Sequence, residues 1–231
     1  MSPEKVVSTR SALIVGASGA VGKEILRQAL ADQTYQRIHL LLRRSLGYND
    51  HPVVQEHLQD PLQPGGLQHD PVPDAVFCAL GTTRKQAGSK AAFYQIDHDL
   101  VLELGQWAAE RGVATMHVVS SMGADPRSLS HYLRTKGEAE RDLQQLSLGS
   151  LYLYRPGLLD APQRAAFRAG ERASVHLLAG LKKVPFSWAS RWQPMPVARL
   201  ASSILAYAAD SRPGCHIIEN AQLQAHASGT G

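Results

Sequence analysis

A glycine-rich turn near the N-terminus constrains the fold of this chain more than any other feature. The apolar run of residues 11–15 ends at Gly16, and a helical pattern over residues 20–31 follows almost directly. Gly16 permits a sharp turn, Gly19 lets the backbone approach a diphosphate, and Gly22 lets the helix pack closely on the strand. The free N–H groups at the start of that helix also attract anions. The segment therefore predicts a strand–turn–helix unit that binds phosphate, although a plain turn would tolerate small residues too.

Short apolar runs alternate with helical patterns through the first 160 residues. Strands are predicted at residues 37–42, 74–80, 115–119 and 151–154, with a weaker one at 52–55, and helices at 91–111 and 130–146. Strands that read as solid apolar runs between helices indicate a parallel sheet covered on both faces. We therefore predict an α/β fold, a Rossmann-type doubly wound parallel sheet that binds its ligand beyond the carboxyl ends of the strands.

The pattern changes after residue 158. Helices are predicted at residues 163–181 and 197–209, a loop rich in proline and tryptophan at 184–196, and a last short strand at 215–219. We divide the chain into a nucleotide-binding domain at residues 1–160 and a small C-terminal substrate lobe at residues 161–231, packed together as one structural unit. Arg164, Arg168 and Arg172 give this lobe a basic helical stripe, which either faces solvent or attracts an acidic substrate or partner.

Composition narrows the class of protein further. A chain of 231 residues that is 44% hydrophobic and 19% charged can bury a full core, which excludes a disordered protein. The 24 Lys and Arg residues against 20 Asp and Glu residues give a net charge of +4, which favours an anionic ligand without arguing for nucleic acid. The ten histidines are scattered without metal-ligand spacing, so no metal site is expected.

The cysteines and the N-terminus bear on the cellular compartment. Cys78 and Cys215 lie in apolar segments with no partner at short spacing, so we predict two buried free thiols in a reducing environment. The N-terminus lacks the apolar core of a signal peptide, and no run reaches the roughly 18 residues of a membrane span. We therefore expect a cytoplasmic protein that does not bind a membrane.

The end of the second predicted strand distinguishes between two dinucleotides. Folds of this type that bind NAD usually place an Asp or Glu there, which accepts hydrogen bonds from the ribose 2′-hydroxyl. This chain has Arg43 and Arg44 instead. Two guanidinium groups can pair with a 2′-phosphate and stack on adenine. The residues therefore favour NADP(H) over NAD as the cofactor, and the alternative is a solvated pair of arginines.

A tyrosine and a lysine with helical spacing follow two serines, Ser120 and Ser121, at the end of a central strand. Tyr132 and Lys136 are four residues apart, so they lie on one face of the predicted helix. A lysine ammonium favours the ionised form of a nearby phenol, which makes the phenol an effective acid and base near neutral pH. We predict that Tyr132 transfers a proton, Ser121 hydrogen-bonds the substrate oxygen, and Lys136 also holds the nicotinamide ribose. The alternative is a half-buried aromatic and a solvated lysine.

Six segments together resemble one family. GASGAVG, LLLRR, CALGTTR, VVSSMGA, Tyr132-x-x-x-Lys136 and YRPG resemble the short-chain dehydrogenase/reductases, and more narrowly the atypical branch with the Tat-interacting-protein oxidoreductases. The resemblance extends over residues 11–219 and implies an NADP(H)-dependent oxidoreductase that moves hydride to or from a small carbonyl or alcohol. It implies Ser121, Tyr132 and Lys136 as catalytic residues. The cofactor contacts that it implies, with those argued above, are Gly16, Ser18, Gly19, Ala20, Val21, Gly22, Arg43, Arg44, Asp60, Leu80, Gly81, Thr82, Tyr132, Lys136 and Arg155.

The resemblance also leaves other functions open. Many relatives carry an asparagine in the helix before the serine strand, where the nearest equivalent here is Asp97. The branch includes binding and regulatory proteins, so an NADP(H)-binding regulator or scaffold with little turnover is the alternative. Epimerase or dehydratase chemistry on a nucleotide sugar ranks last, because only about 70 residues remain for a substrate lobe. A small-molecule substrate is expected, and a monomer and a homodimer both agree with the sequence.

Overall fold

The structure is a computed structural model that describes residues 10–58, 72–160 and 194–226. The strands in these ranges are β1 (Ser11–Val15), β2 (Arg37–Leu42), β3 (Val54–Leu58), β4 (Ala75–Cys78), β5 (Thr115–Val119), β6 (Ser150–Arg155), β7 (Leu159–Asp160), β8 (Met195–Pro196) and β9 (Gly214–Glu219). Seven of them form one sheet in the order β3-β2-β1-β4-β5-β6-β9, and every neighbouring pair is parallel. Strands β7 and β8 form a separate parallel pair.

Helices alternate with the strands, as the sequence predicts. In the described ranges they are α1 (Ala20–Ala31), α2 (Arg84–Ala87), α3 (Lys90–Tyr94), a π-helical turn (Gln95–Asp99), α4 (Leu100–Glu110), α5 (His131–Leu143), α6 (Val197–Ala209) and α7 (Asn220–His226). The single helix predicted over residues 91–111 is therefore interrupted by the π-helical turn. Because a π turn holds more residues than an α turn, it rotates the faces of α3 and α4 relative to each other.

The sheet is buried on both faces, which confirms the predicted α/β class. On one face Ile14 of β1 packs in a cluster with Ile25 of α1 and Ile204 of α6. On the other face Leu13 of β1 packs in a second cluster, to which Leu104 of α4 and Leu143 of α5 also belong. Neighbouring strand residues point to opposite faces, so a strand covered on both sides is apolar along its whole length. This is why continuous apolar runs of the sequence predict the strands.

The C-terminal segment is built into the same sheet. Strand β9 pairs with β6 at the edge of the sheet, and α6 lies against α1, where Gln28 Nε2 donates to the carbonyl oxygen of Ala198 at 2.9 Å. The helix predicted at 197–209 and the strand predicted at 215–219 are both present. Residues 161–193, which include the basic stripe and nearly half of the proposed substrate lobe, lie outside the described residues, so that lobe stays a prediction.

The two cysteines differ in burial. Cys78 in β4 is a buried free thiol, and burial raises its pKa to about 11. Cys215 is also a free thiol, but it is exposed, so the prediction that it is buried is wrong. The reason is its place at the start of β9, an edge strand of the described sheet whose first residues are exposed. An apolar run predicts a strand, but it does not predict whether that strand lies at an edge.

Candidate active site

The strand order places a crevice at the end of the sheet where the parallel strands have their carboxyl ends. The chain runs from β1 outward to β2 and β3, then crosses back to β4 on the other side of β1. In open α/β sheets such a switch point binds ligands beyond the carboxyl ends of the strands. The predicted site residues in the described ranges lie at or beyond the carboxyl end of a strand, or in the helix after it. Asp60 lies outside the described residues.

The glycine turn is held in a tight conformation by its own backbone. Gly16 has a φ of +91°, and a Cβ atom there would lie 2.6 Å from the carbonyl oxygen of Ala79. The N–H of Gly19 donates to the carbonyl oxygen of Gly16 at 2.9 Å. A Cβ atom at Gly22 would collide with the backbone of Gly16. Gly16 and Gly22 therefore serve the sharp turn and the close helix packing that the sequence predicts.

The N-terminus of α1 is open to an anion. Gly19 is the N-cap residue, no side chain caps the helix, and the first turn carries no acidic residue. Ser18 and Gly19 are exposed, Ala20 is half-buried, and the side chain of Val21 is buried in the core. A phosphate here would meet backbone N–H groups, the Ser18 hydroxyl and the positive end of the helix dipole. These features fit the diphosphate of a dinucleotide.

Arg43 and Arg44 follow β2 at the same edge of the sheet. Both side chains are exposed, and within the described residues no hydrogen bond or ion pair engages either guanidinium group. The loop after them is held by Glu56 of β3, whose Oε1 accepts the N–H groups of Leu46 and Tyr48 at 2.9 and 3.1 Å. Two guanidinium groups in this state can accept a phosphate as their partner.

Tyr132 and Lys136 occupy one face of α5 and differ in burial. Tyr132 is 41% exposed, and its ring centroid lies 5.8 Å from that of Phe93. Lys136 is only 6% exposed, and its Nζ lies 2.9 Å from Asp97 Oδ1. Burial by itself lowers the pKa of Lys136, but the charges of Asp97 and Tyr132 outweigh burial and raise that pKa above its ordinary value. A charged, buried ammonium therefore lies one helical turn from an accessible phenol.

The loop after β4 runs beside this lysine. Leu80 is half-buried and packs against the core, Gly81 is exposed, and the N–H of Thr82 donates to Asp97 Oδ2 at 2.9 Å. A Cβ atom at Gly81 would lie 3.8 Å from Lys136 Nζ. The loop and the lysine are therefore close enough for one ligand to contact both.

The two serines after β5 have different partners. The Ser120 hydroxyl is buried and donates to the carboxylate of Glu140, so it is committed to the interior. Ser121 is half-buried, and its hydroxyl donates over a long distance, 3.4 Å, to the carbonyl oxygen of Met122. The Ser121 hydroxyl therefore retains the capacity to bond a ligand.

Arg155, at the end of β6, is bound by two carboxylates. Its Nε and Nη2 donate to Glu140 at 3.1 and 2.5 Å, and its Nη1 donates to Glu219 at 2.9 Å. The hydrogen bonds that Arg155 donates to Glu140 raise the pKa of Arg155 despite its partial burial. The guanidinium group ties β6 to α5 and β9, so the side chain is already committed. Its predicted contact with the cofactor stays a prediction.

Asp97, which the sequence places where many relatives carry an asparagine, pairs with Lys136. Two further residues, Gly137 and Glu140, have positions in the site that the sequence alone did not assign. Glu140 lies four residues after Lys136, so the helical period extends the lysine face to it and could have predicted its burial. A Cβ atom at Gly137 would collide with the backbone of Asp125, so this glycine lets α5 press against the loop after β5. No local pattern predicts that contact, because the loop and the helix meet only in the folded chain.

The buried histidines bond to other protein groups. His98 lies between Asp99 and Asp142, with nitrogen–oxygen distances of 2.8 and 2.9 Å. His117 bonds to the Tyr154 hydroxyl at 2.8 Å, and burial lowers its pKa to about 3. Across the three described ranges, no group of three or more His, Cys, Asp or Glu side chains could hold a metal ion.

Comparison with known proteins identifies the family. A family model described as NAD(P)H-binding matches residues 16–177. The chain belongs to this family. It is 32% identical to Protein HTATIP2 of Rattus norvegicus over 206 residues, which cover 86% of this chain and 81% of that protein. It is also 37% identical to the mitochondrial Protein FMP52 of Saccharomyces cerevisiae over 149 residues, which cover 64% of each chain. The predicted resemblance to the atypical short-chain dehydrogenase/reductases is thereby confirmed.

Solved structures share the fold of this family. MoeE5 in complex with UDP-glucose and NAD has a TM-score of 0.65 at 16% identity, over 94% of this chain and 81% of that chain. A UDP-galactose 4-epimerase has a TM-score of 0.62 at 13% identity, over 90% of this chain and 75% of that chain. At such low identity the likeness shows the fold alone. The chain therefore has an NAD(P)H-binding, oxidoreductase-type Rossmann fold.

Proposed function

We propose that the protein is an NADP(H)-dependent oxidoreductase that acts on a small carbonyl or alcohol compound. The observation that carries the proposal is the buried ammonium of Lys136 on the same helix face as the exposed phenol of Tyr132. A solvated lysine, the alternative weighed from the sequence, would not be 6% exposed and paired with a buried carboxylate. The proposal rests on this pair together with the open phosphate-binding turn at the same edge of the sheet.

The two halves of the cofactor would be held by different groups. The N–H groups at the start of α1 would hold the diphosphate, and Arg43 and Arg44 would pair with the 2′-phosphate. Gly81 and Lys136 would lie along the nicotinamide ribose. When bound, the cofactor supplies or accepts the hydride, as nicotinamides do.

Side chains of α5 and of the loop after β5, which carries Ser121, would bind the substrate oxygen and transfer its proton. During reduction the Tyr132 hydroxyl would donate its proton to the carbonyl oxygen of the substrate, and during oxidation the Tyr132 phenolate would accept the proton of the alcohol. The Ser121 hydroxyl donates a hydrogen bond to the same oxygen and so fixes its position. Lys136 would place a positive charge near the negative charge that develops on the Tyr132 oxygen as the proton leaves. Phe93 packs beside the Tyr132 ring and limits its movement.

Cofactor binding is the first test. Calorimetric titrations with NADPH and NADH, run side by side on the purified chain, should show saturable binding with a clear preference for NADPH. The preference is expected because Arg43 and Arg44 lack a described partner and NADH lacks the 2′-phosphate. A preference for NADH would contradict the assignment of the arginines, and absence of binding to either would contradict the proposed function.

Turnover is the second test. NADPH oxidation is followed with a panel of aldehydes, ketones and quinones, and Tyr132→Phe should lower the rate about 100-fold to 10,000-fold while NADPH still binds. Tyr94→Phe is the matched control, because Tyr94 stacks on His98 outside the proposed machinery. If Tyr132→Phe leaves every activity unchanged, the chain is better described as the NADP(H)-binding regulator considered from the sequence.

Cellular location and partners stay proposals. Within the described ranges no helix is long and apolar enough to cross a bilayer. The sequence favours the cytoplasm, whereas fungal relatives are named mitochondrial proteins. Fractionation of cells that express the tagged chain distinguishes the two compartments. A small-molecule substrate is the expectation that the carbonyl panel tests, and the absence of nucleic acid and of a membrane as partners stays an expectation.

A further inference from the structure

The loop after β2, residues 43–48, carries the arginine pair and is folded around one carboxylate. Glu56 of β3 lies beside this loop, and its Oε1 accepts the N–H of Leu46 at 2.9 Å and the N–H of Tyr48 at 3.1 Å. Backbone N–H groups that converge on one anionic oxygen form the arrangement known as a nest. A side chain of the neighbouring strand therefore occupies the position that a bound anion takes in other nests.

The conformation of this loop depends on hydrogen bonds more than on packing. Gly47 has a φ of +87°, in the left-handed region that favours glycine. The N–H of Gly47 donates to the Ser45 hydroxyl oxygen at 3.0 Å. Residues 43–47 are exposed, so apolar burial contributes little to their order. The bonds to Ser45 and Glu56 are therefore the main described contacts that fix this segment.

Glu56 is ionised and does not pair with the arginines of the loop. Burial opposes its charge, but hydrogen bonds from the Ser45 hydroxyl and from the N–H groups of residues 46–48 outweigh burial and lower the pKa of Glu56. Neither arginine contributes to this lowering, and within the described residues no ion pair engages them. The carboxylate therefore fixes the backbone of the loop and leaves the two guanidinium groups available to a ligand.

The sheet sets the position of Glu56 relative to the arginines. Glu56 pairs in register with Leu40 of β2, and β2 ends at Leu42, directly before Arg43. The two strands are joined by parallel pairing along their whole common length. A rigid pair of strands thus carries both the arginines and the carboxylate that holds their loop.

We propose that Glu56 is a positioning residue for cofactor selectivity, which fixes the loop after β2 so that Arg43 and Arg44 meet the 2′-phosphate of NADP(H). This inference rests on the NADP(H) site of the proposed function. Glu56 does not touch the cofactor in this role, and it acts through the backbone of the loop. A loop that is already ordered loses less conformational freedom when the phosphate binds. Glu56 therefore strengthens binding of NADPH and leaves binding of NADH, which has no 2′-phosphate, nearly unchanged.

Two substitutions of Glu56 test this role by calorimetric titration with NADPH and NADH. Glu56→Ala removes the acceptor of the loop, and the ratio of NADPH affinity to NADH affinity should fall about fivefold or more. Glu56→Gln keeps one acceptor oxygen, so the ratio should fall by a smaller factor. Gln55→Ala, with its side chain on the opposite face of the same strand, should leave the ratio unchanged. A purely structural role of Glu56 would weaken both dinucleotides equally, and an unchanged ratio in Glu56→Ala overturns the inference.

A double-mutant cycle tests whether Glu56 acts through the arginines. In the background of Arg43→Ser with Arg44→Ser, Glu56→Ala should not lower the ratio further, because the groups that it positions are absent. A further fall in that background would mean that Glu56 acts on the 2′-phosphate by another route, which overturns the inference.

A substitution in the loop itself keeps the inference testable if Glu56→Ala fails to fold. At Gly47 an added Cβ atom would meet no described atom within 4 Å, so Gly47→Ala acts only through the positive φ. The ratio should fall in Gly47→Ala and fall less in Gly47→Asn, because asparagine tolerates this conformation better. Gly112→Ala, at a φ of +68° with equally open surroundings after α4, is the matched control and should leave the ratio unchanged.

The outcomes separate this inference from the proposed function. If wild type prefers NADPH and Gly47→Ala keeps that preference in full, the order of the loop does not control selectivity and the inference is overturned alone. If wild type shows no preference for NADPH, the assignment of the arginines is overturned and the positioning role falls with it.

Discussion

The candidate site has two ends, in which the positive charges have opposite environments. The glycine-turn end consists of residues 16–22 with Arg43 and Arg44, and the serine end consists of Ser121, Tyr132, Lys136 and Arg155 with their partners. At the glycine-turn end, Arg43 and Arg44 are exposed and no described carboxylate pairs with them. At the serine end, Lys136 pairs with Asp97, and Arg155 pairs with Glu140 and Glu219. The net charge of +4 therefore hides two different uses of positive charge.

The difference indicates which cations are available to a ligand. A guanidinium group in water is stable without a partner, so an exposed arginine can remain unpaired until a phosphate binds. A buried cation is costly unless carboxylates and hydrogen bonds offset its lost hydration. Lys136 and Arg155 are therefore satisfied before any ligand arrives, and they define the geometry of the site. Arg43 and Arg44, in the proposed site, would contribute to affinity for the ligand and little to the stability of the fold.

The largest expected effect comes from breaking the serine-end cluster. Arg155→Met should destabilise the protein by about 3 kcal/mol, because it leaves the buried carboxylate of Glu140 without its ion-pair partner. Urea denaturation followed by circular dichroism measures the loss. The double variant Arg43→Met, Arg44→Met is the control, and it should change stability by less than about 0.5 kcal/mol. Equal stability losses in the two variants would remove the distinction between the two ends.

The next effect concerns the glycine-turn end and cofactor choice. Arg43→Ser with Arg44→Ser should weaken NADPH binding by about 10-fold to 100-fold, because charge-assisted hydrogen bonds to the 2′-phosphate are lost. NADH affinity should stay nearly constant, since NADH lacks that phosphate. Calorimetric titration of both dinucleotides gives the comparison. A similar loss of affinity for NADPH and for NADH would mean that the arginines do not recognise the 2′-phosphate.

A smaller effect distinguishes the two carboxylates that bind Arg155. The Glu219 side chain is 45% exposed, whereas the Glu140 side chain is 4% exposed. Glu219→Gln should cost less than about 1 kcal/mol, as expected for a solvent-screened pair. Glu140→Gln should cost clearly more, because it removes the buried charge that pairs with Arg155 and replaces one of the two oxygens that accept from Ser120 and Arg155 with an amide donor. Urea denaturation of both variants gives the ranking.

The glycine-turn end was largely predictable from the sequence, because its determinants are local. The turn, the start of α1 and the arginine pair each follow a strand within a few residues, and the strands are continuous apolar runs. Gly16 and Gly22 have the backbone roles that their spacing predicts. Local sequence is sufficient where a strand, a turn and a helix follow one another directly.

The serine end was predicted only in part, because its contacts join residues that are distant in sequence. Arg155 meets Glu140 across 15 residues and Glu219 across 64 residues. The helical period does not indicate where a π turn interrupts a helix, so the contact of Asp97 with Lys136 is absent from the sequence pattern. The partners of Arg155 and the exposure of Cys215 both depend on β9, whose place at the sheet edge no local signal gives.

Salt provides the smallest and most selective test of the comparison. The 2′-phosphate would meet exposed arginines, whose attraction is screened by dissolved ions, whereas the buried pairs at the serine end are screened much less. Raising NaCl from about 0.05 M to about 0.5 M should therefore lower the ratio of NADPH affinity to NADH affinity about threefold. Contributions common to the two dinucleotides, including the diphosphate at α1, cancel in this ratio. In the double serine variant the ratio should not respond to salt, and a persistent response there would mean that other cations read the 2′-phosphate.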